Sequence, residues 1–129
     1  MHLLIGIRND MSDFIYKTEI METIELLRSL GGCDARLYIA CSRQISTFSY
    51  PDWVTTKQGY VQEYLKETEL IATIKDLTLD KKGYIMICGN KNTLGKAVLE
   101  HLQQPNLFTE GEIQDLKKKE RLLVELWHE

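Results

Sequence analysis

The chain is poor in cysteine, and its cysteines are badly placed for cross-linking. Cys33, Cys41 and Cys88 are odd in number and unevenly spaced, with no Cys-x-x-Cys pair. That excludes a disulfide framework and a zinc site of the usual spacing, and it sets a reducing cytoplasm as the expectation. Long apolar runs are also missing. No stretch reaches the roughly 20 residues that cross a bilayer, and Met1 to Arg8 holds too short an apolar run for a signal peptide, so a soluble chain is expected. Charge of one sign is absent too: 16 Lys and Arg stand against 19 Asp and Glu, a formal net charge of -3. Such a balance draws neither nucleic acid nor an anionic membrane. His2, His101 and His128 lie far apart and share no motif with a cysteine or a carboxylate, which leaves metal and triad chemistry without support. There is no Gly-x-Gly-x-x-Gly. The nearest approach to a phosphate loop, Gly89 to Gly95-Lys96-Ala97, is one residue too long and has Ala where a magnesium-binding hydroxyl is needed.

What is present is an alternation of apolar runs and helical periods within 129 residues, a length that suits one domain. Leu3 to Ile7 reads as a buried strand closed by Arg8-Asn9-Asp10. A helix follows, with Ser12 or Asp13 as its cap, Phe14, Ile20, Ile24 and Leu27 as its apolar face, and Gly31-Gly32 as its stop. Arg36 to Cys41 is a second strand ending at Ser42-Arg43. Gln44 to Lys57 carries Ser, Thr, Pro51 and aromatics without either period and reads as a long loop. Val61, Tyr64, Leu65, Ile71, Ile74 and Leu77 restore helical spacing, as one helix to about Thr68 and a short second one before Leu79. Tyr84 to Ile87 is a central strand ending at Cys88-Gly89, followed by a helix from Thr93 to about Gln103 and a break at Pro105-Asn106. Thr109 and Glu112 make a capping box for a helix through Lys119, and Arg121 to Trp127 is the last strand. Four strands separated by helices predict an α/β fold: a doubly wound, Rossmann-like, mainly parallel sheet with helices on both faces. In such sheets ligands bind where the strands end.

The strand ends carry a resemblance. Gly6-Ile7-Arg8-Asn9 with Asp13-Phe14-Ile15-Tyr16 and Glu19, then Ser42-Arg43, Tyr60-Val61-Gln62, Tyr84 to Gly89 and Arg121 to Trp127 run in the same order as motifs of the ferredoxin-NADP reductase family. The chain is most similar to its cytochrome P450 reductase and sulfite reductase flavoprotein branch. The resemblance implies a lobe that binds NADP(H) and passes hydride to a flavin, FAD, held by a separate lobe. It implies that Ser42 and Arg43 hold the ribose 2'-phosphate, with Tyr60 beside the adenine end and Gln62 also among the cofactor-binding residues. A hydroxyl and a guanidinium fork are good donors to a dianion, although alone Ser42-Arg43 would pass for an ordinary loop start. Lys57 either reaches the same phosphate or is a solvated loop residue. Arg8 either approaches the pyrophosphate or ribose, or pairs with Asp10 or Asp13. Cys88, with Gly89 and Asn90, would lie against the nicotinamide, whereas most cysteines after an apolar run are small buried hydrophobes. Glu125 would be the acidic group near the nicotinamide, and Trp127 the aromatic that shields the flavin; a Trp in a terminal strand is otherwise a core or edge anchor.

Two features of that family are missing from the 129 residues: the first central strand with its glycine-rich pyrophosphate loop, and the flavin lobe. The expectation is therefore a partial NAD(P)-binding domain, not competent as a reductase by itself. An upstream polypeptide, or a second copy of the chain, would pair with the strand edges left open beside the Leu3 and Tyr84 strands. The alternative is a noncatalytic remnant or interaction module that keeps the doubly wound core.

Overall fold

The structure, a computed structural model, describes residues 1–32, 34–104 and 106–127, and only the backbone of residues 89–92 and 127. It divides into two compact units, Met1–Val61 and Gln62–Glu129. Every strand pairing among the described residues is parallel, so the protein is α/β with Rossmann-like strand and helix alternation.

Unit 1 is built on strands β1 (His2–Asn9), β2 (Arg36–Gln44) and β3 (Val54–Gln58), in the order β1-β2-β3. Helix α1 (Lys17–Ser29) packs against this sheet because Ile20, Ile24 and Leu27 recur at helical spacing and meet Leu37, Ile39 and Cys41. Leu37, Ile39 and Cys41 are fully buried, with Leu3, Ile5 and Ile7 of β1 packed beside them. Each such Ile or Leu contributes roughly 1.5–3 kcal/mol through burial.

Two local expectations are corrected here. The stretch from Gln44 to Lys57 is not all loop, since Val54–Gln58 forms β3 and pairs with β2 from Leu37↔Val54 to Cys41↔Gln58. Val-Thr-Thr-Lys-Gln has no apolar alternation, and its extended form comes from backbone pairing with β2. Five strands are therefore described, not four. Neither Ser12 nor Asp13 caps α1. The Asn9 side chain accepts the Met11 amide at 2.9 Å, and Tyr16 adopts a left-handed conformation at φ 58°, which delays the helix to Lys17. Its stop is as expected, with Gly31 and Gly32 at φ 73° and 72°.

Unit 2 holds a two-stranded sheet of β4 (Ile85–Asn90) and β5 (Leu122–Trp127), so the described strands lie in two small sheets. Helices α2 (Thr68–Lys75), α3 (Lys96–Leu102) and α4 (Glu110–Lys118) complete it. The expected helix from Val61 begins as a 3-10 turn over Val61–Lys66, and the one expected from Thr93 begins as a π-turn over Lys91–Gly95. The capping box is present: the Glu112 amide donates to Thr109 Oγ1 at 3.1 Å, and the Thr109 amide donates to Glu112 Oε1 at 2.9 Å. The expected break at Pro105 falls outside the described residues. Among those described, no helix is long and apolar enough to cross a membrane, and no group of three or more His, Cys, Asp and Glu could hold a metal ion.

Candidate functional site

The parallel register of unit 1 brings the carboxyl ends of three strands to one end of its sheet. There β1 closes with Arg8-Asn9, β2 with Ser42-Arg43-Gln44 and β3 with Lys57-Gln58. Ile7 pairs with Cys41 but Asn9 with Gln44, so a single residue of β1, Arg8, faces two of β2, Ser42 and Arg43. This is a bulge, and an extra residue in one strand bends it and re-aims the side chains that follow. By strict alternation Arg8, Ser42 and Lys57 fall on the face opposite the buried Leu37, Ile39 and Cys41, whereas Arg43 alternates to the Cys41 face and reaches the other only through the bulge.

Arg8 and Arg43 are both exposed, and neither forms an ion pair among the described residues. The expected alternative for Arg8, a pair with Asp10 or Asp13, is therefore not formed. Two exposed guanidinium groups with no ion pair among the described residues, on backbone positions that meet Ser42 at the bulge, are donor types that suit a phosphate dianion. Lys57 is half-buried, pairs in register with Ala40 and has an interaction partner.

The backbone around Arg43 is braced from both sides. Gln58 Nε2 donates to the Arg43 carbonyl at 3.3 Å, and the Gly59 amide donates to the Cys41 carbonyl at 2.8 Å. On the other side Asn9 Nδ2 donates to Gln44 Oε1 at 3.4 Å. Gly59 sits at φ 142°, which disfavours any side chain, and the turn it makes leaves Tyr60 60% exposed just beyond β3.

Sequence reasoning missed Asp10. It is only 1% exposed, and its carboxylate accepts the Ser46 amide at 2.8 Å, the Ser46 hydroxyl at 2.6 Å and the Tyr50 hydroxyl at 2.6 Å. Desolvation works to raise its pKa, but the hydrogen bonds from Ser46 and Tyr50 outweigh it and hold the carboxyl below the ordinary aspartate value. Tyr50 is pushed well above the usual phenol range, first by burial and then by donating to Asp10. Lys17 Nζ stands 4.3 Å from the Phe48 ring centre and 4.9 Å from that of Tyr50, a second tie on the same loop. A buried, ionised carboxylate leaves no periodic signal in sequence. The only hint was an Asp in the polar close of an apolar run, three positions after Ile7.

In unit 2, Cys88 and Glu125 form one rung of the β4–β5 pair, and both are exposed. Cys88 is thus not the buried hydrophobe that an apolar run would favour. Gly89 pairs with Leu126 and Asn90 with Trp127 along the backbone, while the side chains of Asn90 and Trp127 lie outside the described residues. Gln62 contributes a buried Oε1 with no hydrogen-bond partner among the described residues, an arrangement that costs about 1–3 kcal/mol. Arg121 serves the backbone: its Nη1 donates to the Thr78 carbonyl at 2.7 Å and the Gly83 carbonyl at 3.2 Å, tying the turn before β4.

The chain resembles a stretch of a known reductase. It is 30% identical over 135 aligned residues to NADPH–cytochrome P450 reductase of Phanerodontia chrysosporium, with 97% of this chain and 17% of that protein covered. The similarity supports a relation to that reductase family. The chain spans about 17% of the length of that relative. No family model matches the chain.

Proposed function

We propose that the chain is the NADP(H)-binding portion of a flavin-dependent reductase. The observation that carries this reading is the bulge at which Arg8 faces Ser42 and Arg43, with both guanidinium groups exposed and unpaired among the described residues. At that strand end Ser42 and Arg43 hold the 2'-phosphate, Arg8 approaches the pyrophosphate or ribose, and Tyr60 attends the adenine end; Gln62 is a further cofactor-binding residue in this reading. Lys57 adds positive charge on the same face. The bound nicotinamide supplies the hydride. In unit 2, Cys88, Gly89 and Asn90 are assigned to the nicotinamide end, Glu125 is the acidic group there, and Trp127 is the aromatic that covers the flavin.

The flavin in this reading is FAD, held by a lobe separate from this one, and the setting is cytoplasmic. The outer edge of β1 and one edge of β4 have no strand neighbour among the described residues. An upstream polypeptide or a second copy of the chain would pair there.

Binding to immobilised 2',5'-ADP tests the reading. The parent should bind, and Arg43→Ala should weaken binding by about tenfold or more, the loss of one charge-assisted contact. Equal binding by mutant and parent would remove Arg43 from the phosphate site. If titration with NADPH and with NADH produces no saturable change in Trp fluorescence, the chain is instead a noncatalytic module that keeps the fold.

A further inference from the structure

We propose that Asp10 is a positioning residue for the phosphate-binding strand end, its buried carboxylate fixing where the Arg43 guanidinium can reach. The inference rests on the nucleotide reading above and goes one residue deeper into the same site. Asp10 follows Arg8-Asn9 directly, and the segment it holds, Ser46 to Tyr50, follows Ser42-Arg43 after two residues. The carboxylate spans 36 and 40 residues of sequence to take donors from that segment, at 2.8 Å from the Ser46 amide and 2.6 Å from each of the Ser46 and Tyr50 hydroxyls. Ser46 Oγ in turn accepts the Phe48 amide at 3.2 Å, so the carboxylate organises the whole turn.

Arg43 therefore lies between two anchors on the β1 side, the Asn9–Gln44 side-chain contact at 3.4 Å and the Asp10–Ser46 pair, and one on the β3 side, Gln58 at 3.3 Å. The Asp10 anchor is the strongest, because it is buried, charge-assisted and threefold. Its oxygens are occupied by three neutral donors, and no ion pair joins Asp10 to Arg8 or Arg43 among the described residues. An asparagine keeps the shape but presents an amide group where two hydroxyls now donate. Those hydroxyls would have to reverse, and the turn loses its charge-assisted bonds.

The experiment is a double-mutant cycle in the full chain, with affinities for 2',5'-ADP and 5'-AMP measured by calorimetry. Asp10→Asn should weaken 2',5'-ADP binding by about tenfold, the size of one lost charge-assisted contact, and leave 5'-AMP unchanged. In an Arg43→Ala background, Asp10→Asn should cause no further loss, because a residue acting through Arg43 has nothing left to position. Unchanged 2',5'-ADP affinity in Asp10→Asn overturns the inference. So does an equal loss for both ligands, or the same loss in both backgrounds, since either marks a merely structural role. Should Asp10→Asn fail to fold, Tyr50→Phe removes one donor and should act in the same direction with smaller size; parent-like affinity in that variant overturns the inference equally. A parent that does not bind 2',5'-ADP defeats the nucleotide reading itself, and this inference with it. A parent that binds while the cycle is additive defeats only the inference.

Discussion

A β-carbon placed on Gly6 would lie 3.3 Å from Cβ and 3.4 Å from Cγ1 of Val61. The chain leaving Tyr60 thus passes directly over β1, and Gly6 is where the sheet admits it. Val61 is 7% exposed, so the contact is a packed one. Gly6→Ala should destabilise the protein by roughly 1–3 kcal/mol through overpacking, unless Val61 can shift by a few tenths of an ångström. Urea unfolding followed by circular dichroism measures this. Restoration by the double variant Gly6→Ala with Val61→Ala would tie the cost to that contact.

Charge should dominate the proposed phosphate contact. Arg43→Lys keeps the charge but loses the planar fork, and it should retain part of the 2',5'-ADP affinity that Arg43→Ala loses. Added salt should weaken the parent more than Arg43→Ala, since exposed charges are screened over about 10 Å at 0.1 M. Parallel salt dependences in the two proteins would show that another group carries the phosphate.

Acid should unlock the Asp10 anchor. The folded pKa of Asp10 lies below its ordinary value: desolvation opposes the shift, and the Ser46 and Tyr50 hydrogen bonds outweigh it. A group with a depressed folded pKa adds stability above its unfolded value, about 4, and that stability is lost as pH falls through the folded value. Urea midpoints measured in steps from neutral pH downward should fall more steeply for the parent than for Asp10→Asn. Superimposable curves would mean that the carboxylate contributes no pH dependence.

The two described cysteines should differ in reactivity. Cys88 is exposed, whereas Cys41 is buried and its thiol is pushed up, first by desolvation and then by the nearby Asp10 charge. In a Cys33→Ser background a thiol reagent should modify Cys88 in the native protein and Cys41 only on unfolding. Peptide mapping after labelling decides it, and modification of Cys41 at the native rate of Cys88 would contradict the packing of β2.

Arg121 should matter for stability more than for ligand binding. Its guanidinium bridges the Thr78 and Gly83 carbonyls, and a β-carbon on Gly83 would meet the Leu77 carbonyl oxygen at 2.7 Å. Arg121→Met should cost about 1.5–3 kcal/mol, the range for hydrogen bonds from a charged donor. Gly83→Ala should also destabilise, because the obstacle is backbone that cannot rotate away. Thermal melts of both variants test this, and parent-like midpoints would remove the clamp.

Features that depend on neighbours along the chain were legible in the residues themselves. The apolar runs of β1, β2 and β4, the Gly31-Gly32 stop and the Thr109–Glu112 capping box are local, so composition and spacing reveal them. Because apolar runs end where strands end, Arg8, Ser42, Arg43 and Cys88 could be marked as strand-end residues without coordinates. Val54–Gln58 becomes a strand only in the folded chain, because polar residues are held extended there through pairing with β2. Folding likewise sets Arg8 opposite two residues and buries Asp10 beneath Ser46 and Tyr50. A register offset and a carboxylate satisfied from 36 and 40 residues away are relations between distant segments. Their energies come from backbone pairing and charge-assisted hydrogen bonds that exist only once the chain has folded.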